Sequence, residues 1–137
     1  MKLVVISFCK DEATTISEVI NRIPKKIKKI DDIDIVIIDD GSKDNTAEVA
    51  KKAGAEVVSD SISKGVAFRF REAIDIALEK NADIMVNIDG DLQFSPEDIP
   101  KMVQPILNNK ADFVAADRFS DPTTDQMRRP KNMPLKK

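Results

Sequence analysis

Short apolar runs that alternate with helical patterns limit the fold of this 137-residue chain more than any other feature. Residues 3–8 form a continuous apolar run rather than an alternating one, as is typical of a strand buried on both faces. Runs of the same character occur at 33–38, 55–59, 83–88 and 112–116. The sequence therefore predicts five short strands.

Helical patterns lie between these runs. Asn45 and Glu48 have the spacing of a capping box, and Gly54 follows at the position usual for a C-terminal glycine, which predicts a helix over 46–53. Ser95 and Pro96 are typical of a helix start and predict a helix that runs to about residue 108. Apolar residues at helical spacing predict two more helices: Ile16, Val19, Ile20 and Ile23 in the first, and Val66, Phe70, Ala73, Ile74, Ala77 and Leu78 over 66–80.

Because strands and helices alternate, the sequence predicts an α/β fold, a three-layer sandwich with a mainly parallel sheet and helices on both faces. Residues 1–119 would form this core. Residues 120–137 are polar, contain Pro122, Pro130 and Pro134, and lack periodicity, so they are predicted to be a loop. We expect this segment to be the start of a missing acceptor region and the chain to be truncated.

The composition excludes several classes of function. The chain has no histidine, so catalytic triads and histidine-ligated zinc are excluded, and its single cysteine, Cys9, allows no internal disulfide. The net charge of −2 and the absence of Trp and Tyr argue against nucleic-acid binding. A single cysteine suits a reducing compartment, so we expect a cytoplasmic location. No apolar run approaches the roughly 20 residues of a membrane span.

Acidic residues follow three of the predicted strands. They are Asp11 and Glu12 after the first, Asp39 and Asp40 after the second, and Asp89 and Asp91 after the fourth. Carboxyl ends of parallel strands meet at one edge of a sheet, where ligands bind. So many carboxylates would repel each other without a counter-ion, and oxygen ligands suit Mg²⁺ or Mn²⁺. We therefore predict a divalent-cation site at this edge.

Several segments together resemble the ordered motifs of family-2 glycosyltransferases over residues 3–119. These segments are 4–12, Asp39-Asp40-Gly41-Ser42-Lys43-Asp44-Asn45-Thr46, Lys64-Gly65, Asp89-Gly90-Asp91-Leu92-Gln93, Pro96-Glu97-Asp98-Ile99-Pro100 and Asp117-Arg118-Phe119. The chain is most similar to the polyprenyl-phosphate (dolichyl-phosphate) mannosyl- or glucosyltransferases, because residues 89–93 resemble their Asp-Ala-Asp-Leu-Gln segment.

The resemblance implies a nucleotide-diphospho-sugar transferase fold of the GT-A, Rossmann-like type, and an inverting hexosyltransferase. The donor would be a nucleotide-diphospho-sugar and the acceptor a polyprenyl phosphate at the inner face of the membrane. The resemblance also implies a role for each site residue. Asp11 and Asp39 would contact the base or ribose, Asp40 and Ser42 would shape that pocket, and Lys64 would bind the donor. Asp89, Asp91 and Gln93 would hold the metal against the diphosphate, and Asp91 and Arg118 would act in catalysis, with Arg118 on a phosphate.

Some features depart from the family pattern or leave alternatives open. Where the family usually has Pro-x-Tyr-Asn-Glu, this chain has Ser7, Cys9, Lys10 and Asp11, so the base stays undetermined and Cys9 is predicted to serve packing. An anionic phosphate acceptor needs no general base, and the basic residues of 128–137 would meet that phosphate, lipid head groups or only solvent. The alternatives are a module that binds the donor without turnover and a receiver-type domain phosphorylated on aspartate.

Overall fold

The structure, a computed structural model, describes residues 1–117. The predicted role of Arg118, the domain boundary at 119 and the basic segment 120–137 therefore lie outside the described residues. The elements in chain order are β1 (Lys2–Cys9), α1 (Ile16–Arg22), β2 (Asp32–Asp40), α2 (Thr46–Lys52), β3 (Glu56–Asp60), α3 (Val66–Glu79), β4 (Ile84–Asp89), a 3-10 turn (Pro96–Asp98) and α4 (Ile99–Leu107).

Within residues 1–117, four parallel strands form one sheet in the order β3-β2-β1-β4. The central strand β1 is buried along most of its length, as its continuous apolar run predicted. The register places Cys9 beside Asp39 and Phe8 beside Asp89. It also places Asp40 beside Asp60. The acidic ends of β2, β3 and β4 therefore lie at the same edge of the sheet as the end of β1.

Apolar side chains from both faces of the sheet build two cores. On one face, Leu3, Val5 and Ile37 pack with residues of α1, α2 and α4. On the other face, Val4, Ile6, Val36 and Ile38 pack with Ala73 of α3. The described residues thus form a helix–sheet–helix arrangement, which confirms the predicted three-layer α/β fold with a parallel sheet.

The structure confirms that helical segments begin after Asn45 and after Ser95, but neither side chain makes a capping hydrogen bond within the described residues. The Asn45 side chain makes no capping hydrogen bond to any residue of 1–117, and the N–H of Thr46 instead donates to Asp44 Oδ1 over 3.0 Å. The Ser95 side chain does not cap either, because its hydroxyl donates to Glu97 Oε2 at 3.0 Å. The predicted end of α2 is confirmed, since Gly54 follows it with a φ of +96°.

The predicted apolar stripe of α3 matches the buried face only in part, because Ala73 and Ala77 are buried but the four larger residues of the stripe are not. The helix buries Arg69, Ala73 and Ala77, which recur every four residues. The adjacent stripe is exposed: Val66 (71%), Phe70 (41%), Ile74 (40%) and Leu78 (68%). Small alanine side chains allow the helix to pack close to the sheet. Each of the larger apolar side chains lies one residue further along the helix, about 100° around its axis from the buried positions.

The predicted fifth strand is also wrong, because residues 112–116 form no strand. This short run contains two alanines, which have low strand propensity, and Phe113 is 81% exposed. The segment instead lines a groove of about 470 Å³ together with β4, α4 and Phe70. In the described part of the chain, β4 is therefore an edge strand.

Gly41, directly after β2, should tolerate no side chain. Its φ is +72°, and a Cβ there would lie 2.7 Å from the backbone nitrogen of Ser63. Gly54 also has a positive φ, but a Cβ on it would meet nothing within 4 Å. We expect Gly54→Ala to cost about 1–2 kcal/mol of unfolding free energy from backbone strain alone, and Gly41→Ala to cost more, because backbone must also move. Urea denaturation of both variants tests this, and equal losses would contradict it.

Candidate functional site

The candidate site lies at the carboxyl edge of the sheet. The chain places β2 and then β3 on one side of β1, and then crosses to place β4 on the other side. The order of the strands thus reverses between β1 and β4, and in open α/β sheets ligands bind in the crevice at such a point. The Thr15 hydroxyl donates to the carbonyl of Gly90 at 2.7 Å, which joins the loops that follow these two strands.

Asp11 and Ser42 come together where the loops after β1 and β2 meet. The N–H of Asp11 donates to Ser42 Oγ at 2.9 Å. In return, Asp11 Oδ1 accepts the N–H of Lys43 at 2.7 Å. Asp11 has a φ of +52° and an exposed side chain. These contacts form one polar rim across the two strand ends.

Asp39 is buried at the end of β2, with 3% of its surface exposed. Its Oδ1 accepts the N–H of Ser42 at 3.1 Å and its Oδ2 accepts the hydroxyl of Ser59 at 2.8 Å. A carboxylate has about four acceptor positions, so each oxygen retains one for a further donor. The two contacts fix the orientation of the side chain beside the Asp11–Ser42 rim.

Asp40 is committed to contacts within the protein. Its carboxylate accepts the Ser63 hydroxyl (2.7 Å) and the N–H groups of Lys64 (2.7 Å) and Gly65 (3.2 Å). It also binds Nε of the buried Arg69 at 2.7 Å. Burial alone would raise the pKa of Asp40, but these hydrogen bonds and the guanidinium hold it well below its usual value. Asp40 therefore shapes the turn after β3.

The side chain of Lys64, which lies in that turn, contacts two other side chains. Its Nζ lies 2.8 Å from Asp60 Oδ2 and 4.7 Å from the centre of the Phe68 ring. The Lys64 side chain as a whole is about two-fifths exposed. Part of the negative charge at this edge is offset within the protein, because Lys64 and Arg69 pair with Asp40 and Asp60 at the ends of β2 and β3.

The loop after β4 packs closely against the loop after β1. A Cβ on Gly90 would overlap both Glu12 Oε2 and the sulfur of Cys9. Cys9 is 2% exposed, as its predicted packing role requires, and burial raises the pKa of its thiol. Asp91 Oδ1 accepts the N–H of Gln93 at 3.0 Å, which turns the chain after the Asp-Gly-Asp segment. Glycine is required here because the two loops leave no room for a side chain.

Glu12 is the residue that sequence reasoning did not select. Its Oε2 is buried and has no hydrogen-bond partner among residues 1–117. Burial raises the pKa of Glu12, and although the neighbouring Cys9 thiol lowers it, the negative charges of Asp91, Asp89 and Asp44 raise it further, so the pKa lies above its usual value. The sequence does show a second acid at this point, since Glu12 directly follows Asp11. It does not show which of the two adjacent acids turns toward β4.

The carboxylates around Gly90 fit a hard divalent cation that brings other ligands with it. Within the described residues, no three His, Cys, Asp or Glu side chains are grouped to hold a metal by themselves. Magnesium-type ions, however, usually keep waters and bind one or two carboxylates together with phosphate oxygens. Asp89 and Asp91, on either side of Gly90, are the two carboxylates that the sequence predicts for such an ion, and the buried Glu12 Oε2 lies next to Gly90.

Acid is expected to destabilise this protein. Arg22 lowers the pKa of Glu97 to about 2, and Lys64 together with the Ile62 N–H lowers that of Asp60 to about 2. In the unfolded chain such carboxyls have a pKa of about 4. The stability that these two ionised carboxylates give to the fold is therefore complete well above that pH and is lost as the pH falls toward 2. The urea midpoint should therefore decrease between pH 5 and 2.5.

Glu97→Gln provides the control for this pH dependence, because it removes one of the carboxyls whose pKa is lowered in the folded protein. Its midpoint should fall less steeply with acid than that of the unmodified protein. A midpoint that is constant from pH 5 to 2.5 would contradict the prediction.

None of the helices described within residues 1–117 has both the length and the apolar character needed to cross a bilayer.

Residues 4–136 match the family model described as Glycosyl transferase family 2. This match counts against a receiver-type domain, the alternative that the sequence left open. It agrees with the positions of the acidic residues after β1, β2 and β4.

Named relatives and solved structures agree with this match. The chain is 33% identical to the UDP-N-acetylglucosamine–dolichyl-phosphate N-acetylglucosaminyltransferase of Methanococcus voltae, covering 75% of this chain and 46% of that protein. It is 29% identical to the dolichol-phosphate mannosyltransferase of Pyrococcus furiosus, covering 87% and 34%. Glucosyl-3-phosphoglycerate synthase from Mycobacterium tuberculosis, in complex with Mn²⁺, UDP and glucosyl-3-phosphoglycerate, superposes with a TM-score of 0.64 at 28% identity, covering 77% and 39%. The chain spans less than half the length of each of these proteins.

Proposed function

The chain belongs to glycosyl transferase family 2, and we propose that it forms the donor-binding part of an enzyme that transfers a hexose from a nucleotide-diphospho-sugar to a polyprenyl phosphate. The observation that supports this most is that polar and acidic residues from the loops after β1, β2 and β4 share the carboxyl edge of the sheet, at the point where the strand order reverses. The Asp11–Ser42 contact joins the loops after β1 and β2, and the Thr15–Gly90 contact joins the loop after β1 to the Asp-Gly-Asp segment. A nucleoside diphosphate needs both kinds of residue.

The nucleoside end of the donor would lie against Asp39 and Asp11. Asp39 is held in one orientation by Ser42 and Ser59, so its free acceptor positions are preorganised for base or ribose donors. Ser42 closes the rim through its contact with Asp11. Asp40 acts indirectly, since its carboxylate is occupied by the turn after β3.

The diphosphate end would lie near Asp89, Asp91 and Lys64. Asp89 and Asp91, with Gln93, would hold Mg²⁺ or Mn²⁺ against the phosphate oxygens. When bound, that ion offsets the negative charge that develops on the departing nucleoside diphosphate. Lys64 would add a positive charge from the opposite side, and Arg118 is proposed to contact a phosphate of the donor or acceptor.

The names of two relatives support a polyprenyl phosphate as the acceptor, because each name contains a dolichyl or dolichol phosphate. A phosphate acceptor is already anionic, so it can attack the sugar carbon without a general base. Direct attack on that carbon would invert its configuration. The full-length enzyme would then work in the cytoplasm at the inner face of the membrane.

Calorimetric titration with UDP, GDP and their sugars, with and without Mn²⁺, tests the donor part of this proposal. We expect one nucleoside diphosphate to bind in the presence of Mn²⁺ and to bind much more weakly after chelation. If none of these compounds binds with Mn²⁺ present, the proposal is wrong. Release of nucleoside diphosphate from the bound sugar nucleotide would separate an active enzyme from the alternative, a module that binds without turnover.

A further inference from the structure

Arg69 is the most deeply buried charged side chain among residues 1–117, with 1% of its surface exposed. It lies on the face of α3 that packs on the sheet. Taking a guanidinium out of water costs several kcal/mol, and apolar residues of similar volume often replace buried ion pairs without loss of stability. The presence of arginine at this position therefore needs an explanation beyond packing.

The guanidinium contacts four groups at once. Nε donates to Asp40 Oδ1 at 2.7 Å and one terminal nitrogen donates to Glu72 at 2.8 Å. The other terminal nitrogen donates to the carbonyl of Ile62 at 3.2 Å and lies 3.4 Å from Asp60. A planar fork with five N–H donors can make this set of contacts, whereas the ammonium group of lysine can reach only part of it.

These contacts hold the turn of residues 61–65 through both a carbonyl group and N–H groups of its backbone. Arg69 holds the carbonyl of Ile62 directly, and Asp40, itself fixed by Arg69, accepts the N–H groups of Lys64 and Gly65. Asp60, which pairs with Lys64 Nζ, also lies beside Arg69. Both the backbone and the side chain of Lys64 thus depend on one buried guanidinium.

We propose that Arg69 is a positioning residue for the donor diphosphate, which acts by holding the 61–65 turn so that Lys64 is presented at the carboxyl edge of the sheet. Arg69 has no access to the donor, so its effect passes through Asp40 and the turn. The proposal rests on the proposed function, since it assumes that Lys64 contacts donor phosphate.

The experiment compares UDP with UMP, both titrated in the presence of Mn²⁺, in Arg69→Lys and in the unmodified protein. We expect Arg69→Lys to weaken UDP binding about tenfold and to change UMP binding by less than about twofold, because the proposal assigns the Lys64 ammonium to the second phosphate, which UMP lacks. Arg71→Lys, at an exposed site on the same helix, is the matched control and should alter neither affinity. A thermal melt of each variant confirms that it is folded.

A double-mutant cycle separates positioning from a general loss of structure. If Arg69 acts through Lys64, Lys64→Met combined with Arg69→Lys should bind UDP no more weakly than Lys64→Met alone. Fully additive losses, or an equal loss of UDP and UMP affinity in Arg69→Lys, would overturn the proposal. If the unmodified protein binds no nucleotide, the proposed function itself fails, which is a different result from a uniform effect among the variants. Arg69→Met provides a second variant if the lysine form does not fold.

Discussion

Replacing Asp91 with Asn should abolish the Mn²⁺-dependent part of UDP binding, with a loss of affinity of at least about 100-fold. The substitution removes one negative charge from a proposed pair of metal-binding carboxylates but keeps the shape of the side chain. Asparagine Oδ1 can still accept the N–H of Gln93, a contact that measures 3.0 Å in the structure. The loop should therefore keep its conformation, and calorimetric titration should report only the lost metal interaction.

Two controls make this result specific. Asp75→Asn removes the same charge from an exposed site on α3, and should leave UDP binding unchanged. Binding measured after chelation of the metal should be equally weak for the unmodified protein and for Asp91→Asn. Normal Mn²⁺-dependent binding by Asp91→Asn would show that Asp91 does not hold the ion.

The sequence was sufficient to predict the parallel sheet and the edge at which the site lies. Continuous apolar runs are the direct signature of strands buried on both faces, and four of the five predicted runs are strands. The acidic residues after three of those strands had to meet at one edge, because parallel strands share their carboxyl ends. The contact between Asp11 and Ser42 follows from that rule, although 31 residues separate them.

The sequence could not show which acids stay available for a ligand. Asp39 and Asp40 are neighbours in one motif, yet Asp40 is neutralised by Arg69, which lies 29 residues further along the chain. Nothing in the helical pattern distinguishes Arg69 from an exposed arginine, because its partner comes from another element. The same limit applies to Glu12, whose position beside Gly90 depends on how closely the loops after β1 and β4 approach each other.

Replacing Asp40 with Ala should lower the free energy of unfolding by about 3–5 kcal/mol, the usual result when one member of a buried ion pair is removed. The Arg69 guanidinium would lose its 2.7 Å partner, and the N–H groups of Lys64 and Gly65 would lose their acceptor. Domains of this size are stable by only about 5–15 kcal/mol, so the loss should be large in urea or thermal denaturation. Asp75→Ala, at an exposed site on α3, should change stability by less than about 0.5 kcal/mol.

A compensating substitution identifies the buried charge as the main cause of this loss. In Asp40→Ala combined with Arg69→Met, no guanidinium is left without its partner, and an apolar chain fills much of the same volume. The double variant should therefore be more stable than Asp40→Ala alone, although the turn that presents Lys64 would still lack its acceptor and UDP binding should stay weak. If the double variant is as unstable as Asp40→Ala, the lost hydrogen bonds to the 61–65 turn, rather than the loss of the Asp40 carboxylate from Arg69, account for the destabilisation.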